Sequence, residues 1–311
     1  MFQRLGVVAA TATVAVVGGG GAAVAVPVTE STADTAPNGA PRARVVTDVA
    51  HRGASGHAPE NTLAAIDEAS EHDATAAEVD VQRSSDGELV IIHDTTLERT
   101  TDVEQIYPDR SSYDVADFTL EELKELDAGS WFGGAYAGEQ VPTLEEVLDR
   151  MEERGLNLLL EIKSPSLYPG IESDIAETLR DNPRWLAPGG DEAHRLVIQS
   201  FDWESTERSH DELPRVTHGL LGEVPEDEIA DYATWADQIN PNHTNLDADY
   251  VDAVHEADME VFPYTMNDAE SLRSVIDKGA DGVISDYPDV AREVIQEEDG
   301  VRLPRKRRPL P

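Results

Sequence analysis

The sequence predicts an α/β fold, specifically a TIM (β/α)8 barrel, and three observations predict it. From residue 45 onward, short apolar runs alternate with amphipathic acidic segments, as in parallel strands joined by crossover helices. The alternating part, residues 45–298, matches the ~250 residues an eight-fold barrel typically uses. No glycine-rich phosphate loop follows the first apolar run, which disfavours the structural alternative, a doubly wound open sheet.

In chain order, the candidate strands are residues 45–50, 77–82, 89–93, 157–162, 195–200, 216–221, 238–240, 260–264 and 282–285. Each is a short run rich in Val, Ile and Leu bounded by polar or turn residues. The candidate helices are residues 61–70, 120–126, 144–154, 171–181, 225–233, 247–257, 268–278 and 288–297, where apolar positions recur at helical spacing among acidic ones. Residues 95–143 break the rhythm. Their SWFGGAYAGEQVPT stretch, rich in glycine and aromatics, reads as an insertion or lid between barrel units.

The flanks differ from the barrel. Arg4 precedes an apolar run of small residues from Leu5 to Val26, which fits a signal peptide or a membrane anchor over residues 1–26. Four consecutive glycines, Gly18 to Gly21, favour cleavage over anchoring, and export to the cell surface or beyond is expected. Membrane association through this segment is the other outcome. Residues 27–44 read as a flexible linker. Residues 299–311 reverse the sign of the chain with Arg302, Arg305, Lys306, Arg307 and Arg308, and read as a basic disordered tail. Elsewhere acid dominates: 63 Asp and Glu against 24 Lys and Arg give a formal net charge of -39. Self-repulsion at that level disfavours a compact state in dilute salt and is screened at molar salt, so a halophile's protein is expected. The same charge repels phosphate backbones and argues against nucleic acid as a partner. The chain has no cysteine, which excludes disulfides, zinc–thiolate sites and thiol nucleophiles. Nothing in it signals an oligomeric state.

The residues suited to chemistry gather at the ends of apolar runs. Glu78 and Asp80, two apart on a strand, share one face, with Val79 and Val81 on the other. Glu161 and Lys163 repeat that spacing around Ile162. Buried like charges repel unless a cation joins them, so Glu78, Asp80 and Glu161 suit a hard divalent metal, Mg²⁺ or Ca²⁺. The alternative is a metal-free ion network in which Lys163 pairs with the acids. His51 and His93 each close an apolar run. Such a pair across a phosphorus takes a proton on one side and gives one on the other, while Arg52 and Lys163 neutralise phosphate oxygens. The remaining histidines read mostly as surface residues.

These residues fall in an ordered set of motifs: HRG at His51, PENT at Pro59, E-V-D at Glu78, D-G-x-x-V-x-x-H-D ending at Asp94, and L-x-R-T-T at Leu97. With AGSWFGGAYAGEQVPTLEEVL, LLLEIK, QSFD, PYTMN and GADGVISDYP, the set resembles the glycerophosphodiester phosphodiesterase family over residues 45–290. The resemblance implies a TIM barrel with a small insertion after the second barrel strand. It implies metal-dependent hydrolysis of a small-molecule glycerophosphodiester to glycerol phosphate and an alcohol. By position it implies Glu78, Asp80 and Glu161 as metal ligands and His51 and His93 as the general acid/base pair. Arg52 and Lys163 would contact phosphate, and Glu60 and Asn61 of PENT would support the site. Glu60, Asn61 and Thr62 also suit helix capping. His57 and Tyr264 depart from the residues usual in the family. Two other functions fit the same residues: a lysophospholipase D, favoured by an apolar groove near Trp131, Phe132 and Tyr136, and a non-catalytic phosphodiester-binding surface protein.

Overall fold

The computed structural model describes residues 43–188 and 192–305. The expected signal peptide or anchor, nearly all of the linker, and the basic residues from Lys306 onward lie outside the described residues. Among the described residues no helix is long and apolar enough to cross a membrane.

Eight parallel strands form the frame: β1 (Thr47–Ala50), β2 (Ala76–Arg83), β3 (Asn157–Ile162), β4 (Leu196–Ser200), β5 (Thr217–Leu221), β6 (Gln238–Asn240), β7 (Glu260–Val261) and β8 (Gly282–Ser285). Strands β1 to β7 pair in sequence order, and β8 pairs with β1. Between β7 and β8, Asp281 N donates to Val261 O at 2.9 Å and Ile284 N to Pro263 O at 3.1 Å, which brings the ring close to closure. A helix follows each strand: α1 (Leu63–Glu71), α2 (Leu144–Arg154), α3 (Ile171–Asp181), α4 (Trp203–Glu212), α5 (Ile229–Tyr232), α6 (Ala248–Glu256), α7 (Ala269–Asp277) and α8 (Pro288–Glu297). This is the TIM barrel that the alternation predicts, with the insertion between β2 and α2.

Local sequence explains the elements. In α2, Thr143 caps the first turn and Glu146 returns the bond to the Thr143 N–H. Leu144, Val147, Leu148 and Met151 form the buried stripe, and Gly155 ends the helix at φ 70°. On β2 and β3 the alternation sorts residues between faces. Val79, Val81, Leu158, Leu160 and Ile162 pack with the helices, in one cluster with Leu144, Val147 and Leu148. The opposite face fills the barrel in layers: Val49, Ala76, Leu159, Val197, Phe262 and Ile284 form an apolar plug. The insertion has an apolar cluster of its own, built around Val90, Leu97, Phe118, Leu123 and Val141.

Several expectations are corrected. The run at 89–93 is not a barrel strand: Leu89–Ile91 turns back antiparallel on β2. The helix expected from residue 61 starts at Leu63, because Thr62 is its cap and accepts from Ala65 N at 3.2 Å. Helix α4 has no counterpart among the expected helices, since the residues it buries are Ser205, Thr206 and Ser209 and carry no apolar period. The linker ends sooner than residue 44, because Arg44–Val45 pairs in parallel with Val301–Arg302. Arg44 also bonds the carbonyls of Ile276 and Gly279. For the same reason the tail is not disordered from 299: Arg302 forks onto Glu192 with both bonds at 2.9 Å.

Candidate active site

The barrel mouth at the strands' carboxyl ends gathers the chemistry. Asp80 and Glu161 are register partners on β2 and β3, and Glu78 stands two residues before Asp80 on the same face. All three are buried, and one oxygen from each lies within 4.8 Å of the others. Burial pushes the Glu78 carboxyl well above its usual range, with Asp80 and Glu161 adding to the shift. Burial, then Asp80, raises Glu161 to about 7. Asp80 goes the other way: burial would raise it, but Lys163, His93, Arg52 and the Asn61 amide hold it below the ordinary value.

Two cations face this trio. Lys163 Nζ lies 2.8 Å from Glu161 Oε1 and 3.4 Å from Asp80 Oδ1. Arg52 N donates to Glu78 Oε2 at 2.7 Å, and its guanidinium reaches Glu60 at 2.9 Å. Arg52 and Asn61 are held at φ 56° and 58°, a left-handed conformation that asparagine tolerates but that is unfavourable for arginine, and Arg52 is kept there by its bonds to Glu78 and Glu60. Asn61 Nδ2 donates to Asp80 Oδ2 at 2.8 Å while its Oδ1 accepts from Asp80 N at 3.2 Å. Asn61 therefore orients a carboxylate, and capping falls to Thr62.

Three hard-oxygen donors fit a divalent cation. Asp80 Oδ1 is buried and accepts no hydrogen bond, although Lys163 stands 3.4 Å away. The Lys163 pairing expected of a metal-free network is present as well, but the two cations Lys163 and Arg52 do not neutralise the three buried carboxylates.

Each histidine is held by an aspartate. His51 Nδ1 lies 2.6 Å from Asp286 Oδ1, and His93 Nδ1 lies 2.6 Å from Asp94 Oδ1. A carboxylate at Nδ1 fixes the proton there and leaves Nε2 as the working nitrogen. Burial holds the His93 imidazole below its ordinary pKa, against the opposing pull of Asp80. Asp94 is lowered to about 2, chiefly by its hydrogen bond from Arg99. Arg99 comes from the insertion and grips Asp94 at 2.5 Å and Glu60 at 2.7 Å.

A cavity of about 440 Å³ opens at this mouth, and His51, Arg52, Glu78, His93, Glu161 and Lys163 line it. Six of the seven residues expected to act are thus in its wall, and Asp80 lies directly behind. Trp131, Phe132 and Tyr136 are not in the wall. They stack edge to face in the insertion, and Phe201 with Tyr264 supplies the aromatic rim instead.

Sequence reasoning missed Asp286, Asp94 and Arg99, although all three lie inside quoted motifs: SDYP, HD and LERTT. It also gave His243 and His218 no role, reading most of the remaining histidines as surface residues. His243 lines the cavity, and His218 is fully buried.

Such a mouth suits in-line displacement at phosphorus by a barrel hydrolase. Comparison with known proteins makes this class specific. The profile of the Glycerophosphoryl diester phosphodiesterase family matches residues 51–290. The glycerophosphodiester phosphodiesterase of Caldanaerobacter subterraneus subsp. tengcongensis is 35% identical, over 80% of this chain and 97% of its own. That of Bacillus subtilis (strain 168) is 35% identical, over 81% and 86%. Among solved structures, an Oleispira antarctica phosphodiesterase in complex with the product sn-glycerol-3-phosphate superposes with a TM-score of 0.72 at 30% identity, covering 81% of this chain and 98% of its own. The chain belongs to the glycerophosphoryl diester phosphodiesterase family and is a phosphoric diester hydrolase.

Proposed function

We propose that the protein hydrolyses glycerophosphodiesters to glycerol phosphate and an alcohol, with His51 and His93 as the proton-transfer pair. The observation that carries this reading is the pair of aspartate-held imidazoles, Asp286–His51 and Asp94–His93, in one small cavity with three buried carboxylates. Glu78, Asp80 and Glu161 would hold Mg²⁺ or Ca²⁺, which would supply Lewis-acid polarisation of a non-bridging phosphate oxygen. Arg52 and Lys163 would bind the other phosphate oxygens and offset the charge that develops on them. One Nε2 would take the proton of the attacking oxygen as its bond to phosphorus forms. The other, protonated, would give its proton to the alcohol oxygen as that bond breaks. The Oleispira protein's bound product is the glycerol phosphate that this reaction releases. Trp131, Phe132 and Tyr136 do not line the cavity, so the apolar groove that would favour lysophospholipids is not part of its wall, which supports water-soluble diesters as substrates.

The test is turnover of glycerophosphocholine in molar salt, with Mg²⁺, with Ca²⁺ and with EDTA. His51→Ala and His93→Ala are each expected to abolish turnover and to keep divalent-metal binding. Near-normal activity of either variant, or full activity in EDTA, would overturn the proposal. Lysophosphatidylcholine as a parallel substrate reports the alternative specificity.

A further inference from the structure

A second group of metal-ligand side chains lies outside the cavity. His57, His72 and Asp289 each offer a donor atom, and these atoms lie within 4.8 Å of one another. They come from three separate segments. His57 sits in the loop between β1 and α1, His72 is the residue that ends α1, and Asp289 is in the first turn of α8. His57 Nε2 is 2.9 Å from Asp289 Oδ1, and the two imidazoles stack with centroids 4.3 Å apart. A fourth donor atom is near, with Glu68 Oε2 3.7 Å from His72 Nε2.

The loop is held in place for this arrangement. The Tyr136 hydroxyl donates to the His57 carbonyl at 2.9 Å, and the Tyr287 ring meets the His57 ring edge-on at 5.4 Å. Beside it, a Cβ on Gly56 would fall 2.4 Å from the Tyr287 ring, so only glycine lets the loop lie this close to the start of α8.

We propose that His57, His72 and Asp289 bind a second, transition-series divalent cation such as Zn²⁺, separate from the carboxylate centre. Two imidazoles and a carboxylate are borderline and hard donors that suit Zn²⁺ and Ni²⁺ and select against Mg²⁺ and Ca²⁺. Three protein ligands leave a position that Glu68 or water fills. None of the three lines the cavity, so the ion's role is to clip segments together. It ties the loop that carries His51, Arg52, Glu60 and Asn61 to α8, three residues beyond Asp286, the partner of His51. All three side chains are only partly exposed, yet solvent reaches each, so an ion can enter without unfolding.

The test uses chelator-stripped full-length protein with excess Mg²⁺ present, titrated with Zn²⁺ and followed by calorimetry and melting temperature. Wild type and Glu161→Gln should both bind Zn²⁺ and melt higher for it. His72→Ala and His72→Asn should bind it about 100-fold more weakly and lose the melting shift. Zn²⁺-edge X-ray absorption of wild type, which needs no variant, should show two imidazole ligands. Equal Zn²⁺ binding by wild type and both His72 variants, Zn²⁺ binding lost only in Glu161→Gln, or a spectrum without imidazole would each overturn the proposal.

Discussion

His218 on β5 gives the most direct link from a buried group to stability. It is fully buried, and burial depresses its pKa from 6.5 to about 4. Its Nδ1 lies 2.8 Å from the Val216 carbonyl and must donate, and its Nε2, 3.1 Å from Ser209 Oγ, accepts from that hydroxyl. Both bonds are those of the neutral ring. Because the folded pKa lies below the unfolded one, the stabilisation is complete above about pH 6.5 and is lost as pH falls towards 4. A pKa near 4 against 6.5 makes this loss about 2 kcal/mol by pH 5 and about 3 kcal/mol by pH 4. The perturbation is His218→Gln, which removes the titration. The assay is urea unfolding of both proteins in molar salt between pH 5 and 7.5. Groups common to both cancel in the difference, so the His218→Gln deficit at pH 7.5 should shrink by about 2 kcal/mol at pH 5. A difference that does not vary with pH would refute the linkage.

Three further outcomes are expected. Asp94→Asn should lower kcat by about 10²–10⁴-fold with little change in KM, because Asp94 sets the tautomer of His93 without meeting the substrate. Asp94 also raises the His93 pKa, so whichever limb of the pH–rate profile His93 governs should move to lower pH; an unmoved profile would leave Asp94 with a merely structural role. Gly282→Ala would place a Cβ 2.2 Å from the Phe262 ring in the barrel plug, and chemical denaturation should show a loss of about 1–3 kcal/mol. The net charge of -39 should make melting temperature climb steeply as KCl rises from about 0.1 M to 1 M, where the Debye length falls from ~10 Å to ~3 Å; a flat melting curve would argue against a salt-screened fold.

The fold was legible where the apolar period matched the element. Helix α2 shows Leu144, Val147, Leu148 and Met151 between a capping Thr143 and Gly155, and structure and sequence agree on its bounds. Helix α4 was illegible because it packs through Ser205, Thr206 and Ser209: Ser205 donates to the buried Glu172 at 2.6 Å and Ser209 to His218 at 3.1 Å. The run at 89–93 misled because period cannot tell a barrel strand from a hairpin partner; the pairing of Ile91 with Val81 decides that. In the site, spacing two on a strand placed Glu78, Asp80, Glu161 and Lys163 on one face, since local geometry alone fixes it. Asp286 could not be placed beside His51 by such reasoning, because 235 residues separate them and only closure of the ring joins β8 to β1.

Arg99 recasts the irregular stretch from 95 to 143, read from sequence as an insertion or lid. Its guanidinium bonds Asp94 and Glu60 together. Asp94 holds His93, and Glu60 holds Arg52, whose N–H binds Glu78. One insertion side chain thus reaches the His93 imidazole and the Arg52 guanidinium each through a single intermediary, and the Glu78 carboxylate through two. Arg99 is itself fixed, since the insertion buries Leu97 and Val103 on either side of it in a separate apolar cluster. A lid would meet the cavity through groups that can leave it. This segment meets the site through a charge that Glu60 and Asp94 both need, in a chain with few cations to replace it. The insertion therefore braces the loop that carries His51, Arg52 and Glu60.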